Sequence, residues 1–191
     1  MARLSPPDPE QLPGELREFL SQVPQHAGFD MLAHSVSTVR SFLTQGIAQY
    51  TSLELPDRSR ELVILTTASV AECTYEFVQH TPISEAAGVG ADVRNAIAAM
   101  DFNHPSLSPY EAALVRFVTH AVQHPTVPDD VFDDVRPYLT DRELLEVMQV
   151  AGFYWSFGRV CTVLEIEVED DHGTAVVEAS LRLSRSGALE T

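Results

Sequence analysis

Cys73, Glu76 and His80 fall at spacings of three and four residues. On a helix such residues form one stripe. A carboxylate one turn before an imidazole can orient the ring and raise its pKa, so that the pair passes protons near neutral pH. Glu61 lies twelve residues before Cys73 and reaches the same stripe if the chain folds back on itself. The same spacing also describes an ordinary ion pair, which can perturb pKa values without doing chemistry. A single cysteine is more often a small buried hydrophobe than a nucleophile. Spacing alone leaves both readings open.

Other groups carry weaker signals. His120 and His124 are four apart, but a zinc site needs a third protein ligand that no motif supplies. They sit near a helix C-terminus, where an imidazolium favours the dipole. No metal is expected. Tyr154, Trp155 and Arg159 fall together near the end of the last long apolar segment. They read equally as core with an ion-paired end or as a pocket wall with an arginine fork for a carboxylate. Arg58 and Arg60 are alternative anion partners.

The elements that must position these residues read as helices. A weak helix is predicted over 13–23 and a longer one over 29–50, with apolar residues three and four apart. Leu55-Pro56-Asp57 opens a third, whose Leu62-Val63-Ile64-Leu65 is apolar on nearly every side and so deeply buried. Its pattern runs on with a bend through Glu72 to Ala87. Short helices are expected over 91–100 and 129–138. Ser108-Pro109-Tyr110-Glu111 and Thr140-Asp141-Arg142-Glu143 are capping boxes, opening helices to about Gln123 and Leu164. The expected fold is all-α, one domain of about six to eight helices. The boundaries are an N-terminal arm at 1–12, a helical domain at 13–168 and a C-terminal tail at 169–191, disordered or docked on a partner subunit. Within 165–177, the segments 166–168 and 174–177 could be extended.

The chain has 191 residues, 45% of them hydrophobic, and a formal net charge of −16. So acidic a surface repels phosphate backbones and anionic lipid, which argues against nucleic-acid and membrane partners. There is no signal-peptide pattern and no apolar run long enough to span a bilayer. A cytoplasmic location is the expectation, and it argues against a disulfide between the two cysteines, Cys73 and Cys161.

Arg60 to Leu65, followed by Tyr75-Glu76-Phe77-Val78-Gln79-His80, resembles the carboxymuconolactone decarboxylase family, which includes the alkylhydroperoxidase D-like proteins. Ala87-Gly88-Val89, Leu107 to Glu111, and Leu144 to Arg159 with Gly152-Phe153-Tyr154 extend the resemblance over roughly residues 10–168. In the peroxidase branch the site is a Glu, two cysteines three apart and a His four beyond the second. Glu61, Cys73 and His80 match three of those places, and Glu76 stands where the peroxide-reactive cysteine would be. A carboxylate cannot form a sulfenic acid or a disulfide. The resemblance therefore implies the acid–base branch, with Phe77 where Trp is usual.

On this reading Glu76, His80 and Glu61 are catalytic, and Cys73, Phe77, Tyr154 and Arg159 contact substrate. The expected activity is cofactor-independent proton transfer, a decarboxylation or a lactone or double-bond isomerisation. Its substrate is a small oxygenated molecule, with or without a carboxylate. The alternative is a non-catalytic or redox-partner protein that keeps the fold for assembly. A homo-oligomer is expected because the helices over 61–72 and 141–164 are apolar all round. The resemblance implies dimers, trimers or hexamers.

Overall fold

The computed structural model describes residues 2–169 and 173–186, which are all-α. Ten α-helices run in chain order: α1 Gly14–Leu20, α2 Ala27–Leu32, α3 Val39–Thr51, α4 Asp57–Val70, α5 Thr74–Ala86, α6 Ala91–Ala98, α7 Pro109–Gln123, α8 Asp129–Val135, α9 Asp141–Val163 and α10 Ala175–Ser186. That exceeds the six to eight read from periodicity, because two predicted helices are divided and the predicted tail contains one.

The first division is at residues 33–38. Ser35 and Thr38 bond to each other through their side chains at 2.6 Å, and the Thr38 amide donates to the Ser35 carbonyl. Such local bonds offer the backbone an alternative to the helix. The second is at Glu72, whose φ of 54° lies in the left-handed region. There the Cys73 amide reaches back to the Ala68 carbonyl and closes α4. This sharp turn lays α5 against α4 and brings Glu61 opposite the Glu76–His80 stripe. Pro82 sits inside α5, where it removes one backbone bond, yet the helix continues to Ala86.

Every residue of α4 from Ser59 to Ala68 is buried, against α5, α6, α7 and α9. The all-round apolar character of this helix is thus absorbed within one chain. The outer face of α9 is not: Leu145, Met148 and Trp155 are exposed. Both capping boxes form, each with its reciprocal side-chain bonds.

The C-terminal segment differs from its reading as a tail. Residues 166–169 are neither helix nor strand, and Ala175–Ser186 is a helix packed on α3 of its own chain. Leu183 is buried among Leu16, Phe19, Val39, Leu43 and Ile47. The expectations for 170–172 and 187–191 lie outside the described residues. None of the described helices is long and apolar enough to cross a membrane.

Candidate functional site

Glu61 projects from the first half of α4, and Glu76 and His80 stand one turn apart on α5. All three are buried, Glu61 completely. His80 bridges the two carboxylates. Its Nδ1 is 2.9 Å from Glu61 Oε2, and its Nε2 is 3.5 Å from Glu76 Oε2, the outer limit for a hydrogen bond.

Behind Glu61 stands Arg60, itself buried. Its Nε donates to Glu61 Oε1 at 3.0 Å, while its Nη1 donates to Asp57 Oδ1 at 2.6 Å. The guanidinium lies over the Tyr50 ring, 4.5 Å from its centroid. Tyr50 and Tyr154 share a hydroxyl–hydroxyl bond of 2.9 Å, and the Tyr154 ring meets His80 edge-on. The order is therefore Asp57, Arg60, Glu61, His80, Glu76, a chain of alternating partners leading inward from the start of α4.

It ends at a cavity of about 60 Å³ enclosed by α3, α5, α9, α10 and the segment before α2. A water needs roughly 10–15 Å³ on this measure, so the space suits a small molecule. Glu76, His80, Tyr50 and Tyr154 face it, with Phe153 and Phe157 as apolar walls. Val176, Ala179 and Ser180 of α10 close one side.

Glu76 Oε1 is buried and makes no hydrogen bond. Burial, then the neighbouring Cys73 and Glu61, pushes the Glu76 carboxyl well above its usual 4.5. Folding therefore holds a proton on Glu76 at pH values where the unfolded chain has released it. The stability contributed by that proton is full below about 4.5 and is lost as pH rises through the raised pKa. Glu76→Gln should consequently flatten the fall in stability as pH rises above about 4.5, followed by urea denaturation at a series of pH values. Parallel curves for the two proteins would show that Glu76 is not so perturbed.

Tyr154 lines the cavity as its sequence position suggested, and Cys73, Phe77 and Arg159 do not. Phe77 packs against the main core. Arg159 points to the outer face of α9, over Trp155 at 5.6 Å: five residues after Tyr154, it lies too far round the helix to share its face. Cys73 is sealed beneath Gly158, in contact with the Cys161 thiol. The hydrogen bond from Cys161 brings the Cys73 thiol down to about 7, and the same bond followed by burial drives Cys161 up. Sequence separation had concealed this pairing. Among the described residues no cluster of three or more His, Cys, Asp or Glu could hold a metal ion.

Sequence reasoning missed Arg60's role as the partner of Glu61, and it missed Tyr50. It also missed His26, which lines the cavity from before α2. His26 Nδ1 is 2.8 Å from the Tyr75 hydroxyl, which donates to Glu169 Oε1 at 3.0 Å and accepts from the Gly28 amide. No helical spacing links these residues, so only the fold could reveal them.

No family model matches the chain, and no curated protein does. Solved structures do. An uncharacterized peroxidase-related protein with an alkylhydroperoxidase AhpD core from Ralstonia eutropha superposes with a TM-score of 0.76 at 20% identity, over 88% of this chain and 93% of that one. A protein of unknown function from Agrobacterium tumefaciens, a putative antioxidant defence protein AhpD, gives 0.67 at 18%, over 73% and 96%. The debrominase Bmp8, solved with 2,3,4-tribromopyrrole, gives 0.68 at 17%, over 95% of each chain.

Proposed function

On the alkylhydroperoxidase D-like fold that this chain has, we propose a cofactor-independent enzyme that moves protons on a small oxygenated molecule, by decarboxylation or by lactone or double-bond isomerisation. The observation that carries it is Glu76: a buried carboxyl on the wall of an apolar cavity, driven toward its protonated form, with one oxygen unbonded and the other facing an imidazole. A positioned acid or base of this kind works best with a pKa near the operating pH. Glu76 Oε1 gives or takes the proton at the substrate. His80 Nε2 exchanges it with Oε2. Glu61 holds Nδ1 and so fixes the ring, and Arg60 holds Glu61. The cavity walls exclude water, which strengthens each of these interactions.

The test is solvent-deuterium incorporation. Incubated in D2O, a substrate should acquire deuterium at the carbon that is protonated, and Glu76→Gln should abolish that. Undiminished exchange with Glu76→Gln would contradict the reading.

A redox reading draws on one observation, the contact between Cys73 and Cys161. Both thiols are buried and neither lines the cavity, and peroxide reduction needs an attackable thiolate. Cys73→Ser should therefore leave deuterium incorporation within a few-fold. The assembly fits the same picture: the exposed Leu145, Met148 and Trp155 along α9 form a face on which copies of this chain pair as a homo-oligomer.

A further inference from the structure

The geometry points to a small, uncharged, ring-shaped substrate carrying a single hydrogen-bonding oxygen, seated with that oxygen on Glu76 Oε1. This rests on the acid–base reading of the same cavity and names the class of molecule it takes.

Charge is the first constraint. The chain contains no lysine, and none of its twelve arginines lines the cavity. Arg60, behind the lining Tyr50, is engaged by Glu61, Asp57 and the Gln49 carbonyl. An anion placed here would meet Glu76, with Glu61 beyond His80, and no arginine or lysine to replace its lost water. Buried charges persist only when paired. Carboxylates are therefore rejected, which removes the carboxylated substrates expected from sequence and decarboxylation with them, and leaves lactone or double-bond isomerisation. Arg159, the fork that such a group would have used, is on the outer face.

A cation fares little better. The aromatic walls would attract it, but it would have to shed its hydration shell while Glu76 gave up a proton that burial holds in place. Two unfavourable steps are then coupled in one apolar space.

Polarity sets the second constraint. The Tyr50 and Tyr154 hydroxyls bond each other, and His80 Nδ1 is taken by Glu61. Tyr75 is held by His26, Glu169 and the Gly28 amide. Among the described residues facing the cavity, Glu76 Oε1 is the buried side-chain oxygen without a partner. One such atom matches one carbonyl or hydroxyl. A sugar or polyol would leave several of its own groups unpaired, and each would be costly. Shape is the third constraint: Phe153, Phe157, Phe29 and Ile83 present flat or branched apolar walls, complementary to a ring.

Binding of three ring compounds of matched size tests this directly: cyclohexanone, cyclohexanecarboxylate and cyclohexylammonium, titrated calorimetrically against the full-length protein at neutral pH. Cyclohexanone should bind at least tenfold more tightly than either charged ring. Glu76→Leu should weaken the ketone by about tenfold, the worth of one hydrogen bond, while leaving methylcyclohexane binding unchanged. Glu76→Gln keeps a hydrogen-bonding group and should retain most of the ketone affinity, which guards against a folding failure in the leucine variant. Equal or tighter binding of the carboxylate or the ammonium would overturn the assignment, as would failure of all three to bind. Because the readout is binding, the two claims fail separately. A preference for carboxylate removes the substrate class and leaves proton transfer standing. Selective ketone binding by an enzyme whose turnover survives Glu76→Gln does the reverse.

Discussion

Glu76→Gln and His80→Asn should each lower turnover by roughly a hundredfold or more, the usual worth of a positioned proton donor or acceptor, and the double variant should lose about as much as either single one. The reason is geometric. His80 Nε2 faces Glu76 Oε2, while Glu76, on the cavity wall, keeps Oε1 without a partner. A proton taken by Glu76 is passed on only if the ring is there to receive it. Members of one catalytic unit are strongly non-additive for this reason. Both replacements preserve size and hydrogen bonding closely enough to keep the fold. The effect should fall on kcat, with KM changed little, since the apolar walls that hold the ring are untouched. Losses that multiply in the double variant would mean that the two residues act independently.

Glu61→Ala should produce the largest loss of stability of any change at the site, about 3–5 kcal/mol by urea denaturation. Glu61 is wholly buried between Arg60 and His80. Its removal leaves a buried guanidinium with only the exposed Asp57 as an anionic partner, and uncompensated buried charge is what makes breaking such pairs expensive. Glu61→Gln keeps the hydrogen-bonding shape while discarding the charge, and should fall between the two. A cost for Glu61→Ala of under about 1 kcal/mol, the value of an exposed pair, would contradict the burial on which this rests.

The parts of the fold that were legible in the sequence are those governed by local rules. Ser108 with Glu111 and Thr140 with Glu143 mark helix starts because both bonds of a capping box are made within four residues. The four apolar residues at 62–65 announce a buried helix because no face is left for solvent. Glu76 and His80 share a face because they are four apart.

What escaped depends on competition or on distance. The break at 33–38 arises where Ser35 and Thr38 side chains outbid the helix, against a periodic pattern that continues through them. The helix α10 was concealed because its inward face is short, with only Ala179, Ser180 and Leu183 buried, behind an acidic stretch that reads as solvated. Glu61 and His80 are nineteen residues apart and meet only because Glu72 turns the chain; the family resemblance supplied what periodicity could not. Arg159 failed in the opposite sense, a suitable residue type on the wrong side of its helix. His26, Tyr50 and the Cys73–Cys161 contact are products of packing alone.

The claim at the centre of this account is that Glu76 carries a proton inside an apolar cavity under conditions where an ordinary glutamate has lost it. Infrared spectroscopy reads that directly, through the carbonyl stretch of a protonated carboxyl group, and needs no substrate. At pH values above the ordinary 4.5, where exposed carboxyls have ionised, the wild-type protein should show such a band in an apolar environment. It should shift in D2O, disappear as the pH is raised further, and be absent from Glu76→Gln at every pH. A wild-type spectrum in which the carboxyl band is lost at the pH where exposed carboxyls ionise, or a band that survives in Glu76→Gln, would contradict the account.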